Sequence, residues 1–432
     1  MWNNQILAPE SQLMLERADE LARQLYSIKK YHEAAAVSEA VILLSGRSHG
    51  ALLNAARCYL SAGDPVRCEA LLSEAHEHAA RPLGNHEDRE MMVLALGWQG
   101  RHNEAEQVLH GLPENPQRQY NLGWHSMRRG HFKDALPLLE SGRPIGIWGD
   151  NDFRLPTPQW DGVSDLAGKT VLLNLERGLG DHIIQARHAR DLAARGANVI
   201  VRTHPSLVMT LGHADGASSA VAAGMEIPEH DLWIPGMSAS FLLGVEKPDG
   251  APYLKPVPWA KMHWEERLGE HVRPRIGIRW QGNPAFEHEQ MRTVPAAELA
   301  EALRGLGDLY SFQRDVGAEL CPEGVTDLSE ELVSWEDTVA ALSFMDVIVT
   351  SCTSITHAAA AQGVPTVVLT PVVSYYPWSD ETVLPRSDWY DSVLVAKQTQ
   401  VGKWSDAIER AAGYAQEFLD AKDTKEKNDQ RE

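Results

Sequence analysis

Four short turn signals recur in the first third of the chain, each followed five positions later by a small residue. They are Lys30-Tyr31-His32 with Ala35, Gly63-Asp64-Pro65 with Cys68, Gly100-Arg101-His102 with Ala105, and Gly130-His131-Phe132 with Ala135. The intervals between them are 33, 37 and 30 residues. Between the turns, residues 11–140 carry apolar positions at helical spacing, so they read as paired amphipathic helices. A recurrence of this length commits the front of the chain to stacked units, because one helix pair cannot bury its apolar stripe alone. Stacked pairs leave a concave groove of the kind that takes a peptide segment or another protein. The plainer expectation is a helical domain that only supports the rest of the chain.

The mean interval is about the 34-residue period of tetratricopeptide repeats. The stretch YNLGWHSMRRGHFKDALPLLE fits that pattern best. Leu122 and Gly123 permit close helix packing, and Ala135 lets the second helix of the pair approach.

The period then changes. Residues 141–162 are rich in Gly, Pro and Trp and read as a linker. VLLNLE (171–176) is a continuous apolar run suited to a buried parallel strand. The helical pattern HIIQARHARDLAARG (182–196) and a second strand, NVIVRT (198–203), complete a βαβ unit. A second series begins at Arg275. It has strands at 275–280, 309–313, 346–351 and 366–371, alternating with helices at 296–306, 335–345 and 355–363. The expected fold class is therefore α plus α/β: repeat helices over 1–143, then two Rossmann-like domains over 144–268 and 269–410. A helix end and polar tail occupy 411–432. Ligands of such sheets bind at the carboxyl ends of the strands.

The formal net charge is -20, with 40 basic and 60 acidic residues in a chain of 432. This disfavours nucleic acid and anionic membrane as partners. Residues 269–432 carry 14 basic against 27 acidic residues, and Asp315 to Pro385 contains no Lys or Arg. An anion bound there needs backbone N–H groups, hydroxyls or basic residues from elsewhere. The start, MWNNQILAPESQ, lacks the pattern of a secretory signal, and no apolar run reaches membrane-spanning length. The four cysteines form no CxxC pair. A cytoplasmic, reduced protein is the expectation.

Three motifs fall at expected strand ends. Glu176-Arg177-Gly178-Leu179-Gly180-Asp181 opens a helix. Gly178 and Gly180 permit a tight turn and close ligand approach, and Asp181 is placed to accept a proton from a hydroxyl nucleophile or simply to cap the helix. Thr350 to His357 runs off a strand into an Ala-rich helix. Thr353 and Ser354 at its start form a neutral anion site, with His357 in reach of a phosphate or merely satisfied in the core. Cys352 reads as structural rather than nucleophilic. In the loop after Trp280, the indole is a candidate stacking platform, and Asn283 and Arg292 are candidates for the donor side. Glu287-His288-Glu289 lacks the spacing of a helical metal site. Tyr375, Tyr376, Trp378, Trp389 and Tyr390 gather in one loop region, as core or as faces for sugar rings.

Taken in order, the stretches LAGKTVLLNLERGLGDHIIQARHARDLAARGANV, DLWIPGMSASFLLG, IGIRWQGNP, EHEQMRTVP and SCTSITHAAAAQGVPTVVLTP resemble bacterial proteins that fuse tetratricopeptide repeats to a heptosyltransferase-like glycosyltransferase. The likeness runs from about residue 100 to 400. It implies a GT-B pair of Rossmann-like domains and inverting, metal-independent transfer from a nucleotide-sugar, with no other cofactor. Asp181 takes the place of the family's general base. The family's donor motif, Ser-x-Asp-Thr-x-x-x-His, falls on this chain with Cys352 in the Asp place, Thr353 in the Thr place and His357 in the His place. Arg177 replaces the more usual Gln. Similar chains glycosylate flagellin or other proteins, which implies a protein acceptor held by the helical groove. A saccharide or lipid-linked acceptor is the alternative, as is a non-catalytic scaffold with a degenerate transferase half.

Overall fold

A computed structural model describes residues 9–78, 86–148, 155–284, 289–379 and 385–429. The chain divides into two compact units. One is Met1–Arg118 with Gln400–Gly402, the other Gln119–Thr399 with Lys403–Glu432.

The first unit is helical. It holds α1 (Pro9–Ser27), α2 (Tyr31–Leu44), α3 (His49–Ser61), α4 (Pro65–His78), α5 (His86–Trp98) and α6 (His102–His110). Successive helices pack on one another. The turns α1–α2, α3–α4 and α5–α6 place Lys29, Gly63 and Gly100 at positive φ. The N–H of the next residue closes each turn, as Lys30 to Leu25, Asp64 to Tyr59 and Arg101 to Leu96. The first turn therefore lies one residue earlier than its signal suggests, and Ala34 is the residue equivalent to Cys68 and Ala105. All three are buried.

The second unit begins within the first turn of α7 (Pro116–Arg128), which is joined to α8 (Phe132–Glu140) by the same turn at Gly130. Tyr120, Met127, Phe132, Ala135, Leu136, Leu139 and Trp148 belong to the core that also contains Val171, Leu173 and Ile183. This helical pair is thus packed into the α/β body.

The first sheet is β1 (Thr170–Asn174), β2 (Asn198–Thr203), β3 (Ala217–Ala222) and β4 (Leu232–Pro235), in order β3-β2-β1-β4. Every pair is parallel, with Val171 opposite Val199 on one side and Leu232 on the other. Its helices are α9 (Leu179–Ala186), α10 (His188–Ala194), α11 (Val208–Leu211) and α12 (Ala239–Leu242), and α13 (Pro258–Leu268) follows them before the second sheet.

The second sheet holds β5 (Arg275–Arg279), β6 (Asp308–Ser311), β7 (Thr326–Asp327), β8 (Val347–Ser351), β9 (Thr366–Thr370) and β10 (Val393–Lys397). It runs β10-β9-β8-β5-β6-β7, also parallel. Around it lie α14 (Glu289–Arg292), α15 (Ala296–Leu303), α16 (Trp335–Leu342), α17 (Ser354–Ala360) and α18 (Ser405–Asp429). Strands β5, β8 and β9 are buried along their whole length, as a parallel sheet covered on both faces requires.

The helix expected over 182–196 is two pieces that start three residues earlier and break at Arg187. The Arg187 side chain turns into the core. It donates to the carbonyls of Ile184, Asp249 and Trp389 at 3.1 Å each and lies over the rings of Tyr253, Trp389 and Tyr390. Among the described residues no helix is long and apolar enough to cross a membrane.

Candidate active site

In each sheet the chain reverses direction of strand addition beside one central strand. In the first sheet β1 lies between β2 and β4, and in the second β5 lies between β8 and β6. The loops leaving β1, β5 and β8 therefore flank the crevices at the carboxyl ends where open α/β sheets bind ligands. Both glycine- and hydroxyl-bearing motifs lie on these loops.

The loop after β1 is pinned from both sides. The buried Glu176 carboxylate accepts two bonds from Arg143, at 2.6 and 2.8 Å, and one at 2.9 Å from the Met237 N–H beyond β4. The Glu176 N–H donates to Gln185 Oε1 at 2.9 Å. Arg177 then takes φ +71°, a conformation that costs about 1 kcal/mol or more for a residue with a side chain. Its guanidinium donates to Tyr120 Oη at 2.7 Å and lies over the Trp148 and Trp124 rings, 5.0 and 5.8 Å from their centroids. The sharp turn delivers Gly178 as the N-cap of α9, with Asp181 in its first turn.

The Asp181 carboxylate is held by both oxygens. The Gly178 N–H donates to Oδ2 at 3.1 Å, and the Tyr375 hydroxyl donates to Oδ1 at 2.5 Å. Burial pushes its pKa above the usual carboxylate value, opposed by those two donors and by Arg177. A raised pKa suits a general base working near neutrality.

On the second sheet, Cys352 is buried. Its Sγ accepts from Trp378 Nε1 at 3.0 Å, and burial raises its pKa, so it stays a thiol. Thr353 caps α17, its N–H donating to Thr356 Oγ1 at 3.3 Å. The Thr353 hydroxyl is buried with no hydrogen-bond partner among the described residues. His357 is also buried. Its ring stacks on Trp378 at 5.1 Å and 9°, and its Nδ1 lies 3.2 Å from Tyr390 Oη. Burial, with Arg187 nearby, lowers its pKa to about 3, so it is neutral at physiological pH.

The two motifs meet. A Cβ on Gly180 would lie 3.1 Å from His357 Cδ2 and 3.5 Å from Ser354 Cα, so Gly180 is the contact where the loop of one sheet touches that of the other. Arg292 donates to the Cys352 carbonyl at 3.0 Å and pairs with Glu289, which also accepts from the Gly282 N–H. The arginine thereby ties the β5 loop to the β8 loop.

The structure thus brings Gly180 against Ser354 and His357, Asp181 against Gly178 and Tyr375, and Arg292 against the Cys352 carbonyl. Trp280 stands apart. It is 1% exposed, inside the apolar core of the second sheet, so its indole offers no free face for stacking. Asn283 is exposed on the β5 loop. Glu287 and His288 lie outside the described residues. Among those described, no group of three His, Cys, Asp or Glu side chains is placed to hold a metal ion. Sequence reasoning misses Tyr375 as the partner of Asp181, together with Tyr120, Trp124 and Arg143. Their signal is the aromatic density around 375–390 and the arginine at 177.

No family model matches the chain. Among curated proteins it is similar to Protein FlbA of Caulobacter vibrioides, 24% identical over 313 residues, which is 62% of this chain and 49% of that protein. The chain therefore spans about half the length of the curated relative it matches. Among the solved structures that align with it are the following three. One is the E. coli ADP-heptose lps heptosyltransferase II, at 15% identity over 59% of this chain and 99% of that one, TM-score 0.44. Another is a glycosyl transferase family 9 protein from Veillonella parvula, at 11% over 60% and 99%, TM-score 0.47. The third is an O-GlcNAc transferase mutant from Thermobaculum terrenum, at 12% over 96% and 94%, TM-score 0.34.

Proposed function

We propose that the protein is an inverting, metal-independent glycosyltransferase of GT-B type that moves a sugar from a nucleotide-diphosphate donor to a hydroxyl of a protein acceptor. The observation that carries this reading is the Asp181 carboxylate. It is half-buried at the switch point of one parallel sheet, fixed by Gly178 and Tyr375, and its turn abuts the donor-side loop of the other sheet. In the step itself, Asp181 takes the proton of the acceptor hydroxyl. The oxygen forms a bond to the anomeric carbon, the bond from that carbon to the diphosphate oxygen breaks, and its electron pair leaves on the nucleoside diphosphate. Arg292 and the Thr353 hydroxyl, which has no partner among the described residues, are the groups suited to the charge that develops there. His357, neutral and stacked, supports the wall behind Gly180 instead of meeting the phosphate. The helical pairs ahead of the α/β body support a protein as acceptor, since stacked pairs present an extended surface.

Asp181→Ala is expected to lower transfer by about 10²–10⁴-fold while the far-ultraviolet circular dichroism stays that of the wild type. Unimpaired transfer in that variant removes Asp181 from its role. One observation favours a second reading, a non-catalytic scaffold: the Cys352 thiol sits buried against Trp378 in the place of the family's Asp. A thermal-shift series with nucleoside diphosphates and their sugars separates the two. Stabilisation by any of them supports the transferase, and none at millimolar concentration supports the scaffold.

A further inference from the structure

The two oxygens of Asp181 are held by groups from different halves of the α/β body, Gly178 from the β1 loop and Tyr375 from the segment after β9. Tyr375 is itself backed by a ring from the helical region. Trp124 on α7 lies nearly parallel to it, with centroids 6.5 Å apart at 26°, and also meets Tyr376 at 5.4 Å. The same Trp124 stands under the Arg177 guanidinium, four residues before Asp181. Trp124 is in turn fixed by edge and tilted contacts with Tyr120 and Trp148, at 6.1 and 6.0 Å. The last helical pair therefore touches the Asp181 neighbourhood twice, through the turn that carries it and through the hydroxyl that orients it.

We propose that Tyr375 is the positioning residue of the Asp181 carboxylate, and that Trp124 of the last helical pair holds Tyr375 in that place. The activity arm of the test rests on the transferase reading; the titration arm rests on geometry alone. The charged and titratable groups facing Asp181 are Arg177 on its own turn, Tyr375 and Tyr376, and the Cys352 thiol, while His357 of α17 lies against the neighbouring Gly180. Burial holds both tyrosines well above their usual pKa and the thiol above its own, while His357 is neutral above about pH 3. With the tyrosines and the thiol kept protonated and His357 kept neutral, the titration followed in this group is that of the Asp181 carboxyl, which burial raises above its usual value. A hydroxyl donating to a carboxylate favours the charged form, so its removal moves the titration upward.

The experiment uses the full chain labelled with ¹³C at the aspartate carboxyl carbons, the Asp181 signal being assigned from its loss in Asp181→Asn. The expected result is a higher titration midpoint in Tyr375→Phe, a smaller rise in Trp124→Ala, and wild-type behaviour in Trp124→Phe, which keeps a ring. In transfer assays Tyr375→Phe lowers kcat about tenfold, the loss of one hydrogen bond to a charged group. Donor KM stays unchanged, and the acid limb of kcat moves to higher pH. An unmoved or lowered midpoint in Tyr375→Phe overturns the role of Tyr375. A midpoint raised in Tyr375→Phe but unmoved in Trp124→Ala overturns the role of Trp124. If the midpoints move as expected and the wild type transfers no sugar to any acceptor, the positioning stands and the transferase reading falls.

Discussion

Asp181 is a half-buried carboxyl with a raised pKa, and that has a sign for stability as well as for catalysis. A carboxyl whose folded pKa exceeds its unfolded value binds its proton more tightly in the native state. The stability it contributes is fully present below the unfolded pKa of about 3.9 and is lost as pH rises through the folded one. At neutral pH the ionised side chain is therefore a cost, of the kind that active sites retain. Asp181→Asn keeps an acceptor for the Tyr375 hydroxyl and removes the charge. It is expected to melt a few degrees above wild type at pH 7, with the gap closing as pH falls to 4. Calorimetry at both pH values checks this, and a lower melting point for the variant at pH 7 contradicts the sign. Asp181 is legible in the sequence because its turn, Gly178 to Gly180, is local. Tyr375 is not, because its hydroxyl arrives from 194 residues away, and Cys352 and His357 show their residue types but not the Trp378 and Tyr390 that bury them.

Elements that announce themselves by period are legible, and those that depend on distant partners are not. Strands β1, β2, β5, β8 and β9 are apolar runs because a parallel sheet covers both faces. Strand β3, ASSAVA, is an edge strand and half-exposed, so it lacks the continuous apolar run that marks the others. The break at Arg187 depends on carbonyls and rings supplied by residues 249–253 and 389–390, which no local pattern reveals. The α7–α8 pair is readable in finer detail, because close packing of two helices demands a small residue at the crossing. A Cβ at Gly123 would lie 2.9 Å from both Leu139 Cγ and the Leu139 backbone nitrogen. The backbone nitrogen belongs to α8 and cannot give way as a side-chain tip would. Gly123→Ala gains about 1 kcal/mol of helix propensity but forces the helices apart, an overpacking cost of about 1–3 kcal/mol. The expected outcome is a net loss of stability in urea unfolding at unchanged m-value. A stabilised variant contradicts the close crossing.

At the scale of the whole molecule, the sequence places the change of architecture in the Gly, Pro and Trp-rich stretch after residue 140, whereas the compact division falls at Arg118. The reason is that a change of period marks where helices stop, not where a core begins. The α7–α8 pair keeps helical spacing, yet its apolar face, with Trp148 behind it, belongs to the core of the first sheet. Arg143 strengthens the tie, since its guanidinium is the partner of the buried Glu176 at the turn leading to Asp181. Two truncations therefore differ sharply. A chain from Pro116 onward retains α7, α8 and that ion pair, and is expected to unfold cooperatively and to keep any stabilisation by nucleoside diphosphate seen in the full chain. A chain from residue 144 onward strips the covering from Val171, Leu173 and Ile183 and leaves Glu176 buried without its counter-charge, a loss of about 3–5 kcal/mol by itself. That is a large part of the stability of an ordinary domain. It is expected to bind a hydrophobic dye and to show no sharp thermal transition. Equal, cooperative melting of the two fragments would show that the last helical pair is dispensable to the α/β body. If only the longer fragment folds, it is also the one in which loss of a protein acceptor can be assigned to the helices before Pro116, because its Asp181 neighbourhood retains Tyr120, Trp124 and Trp148.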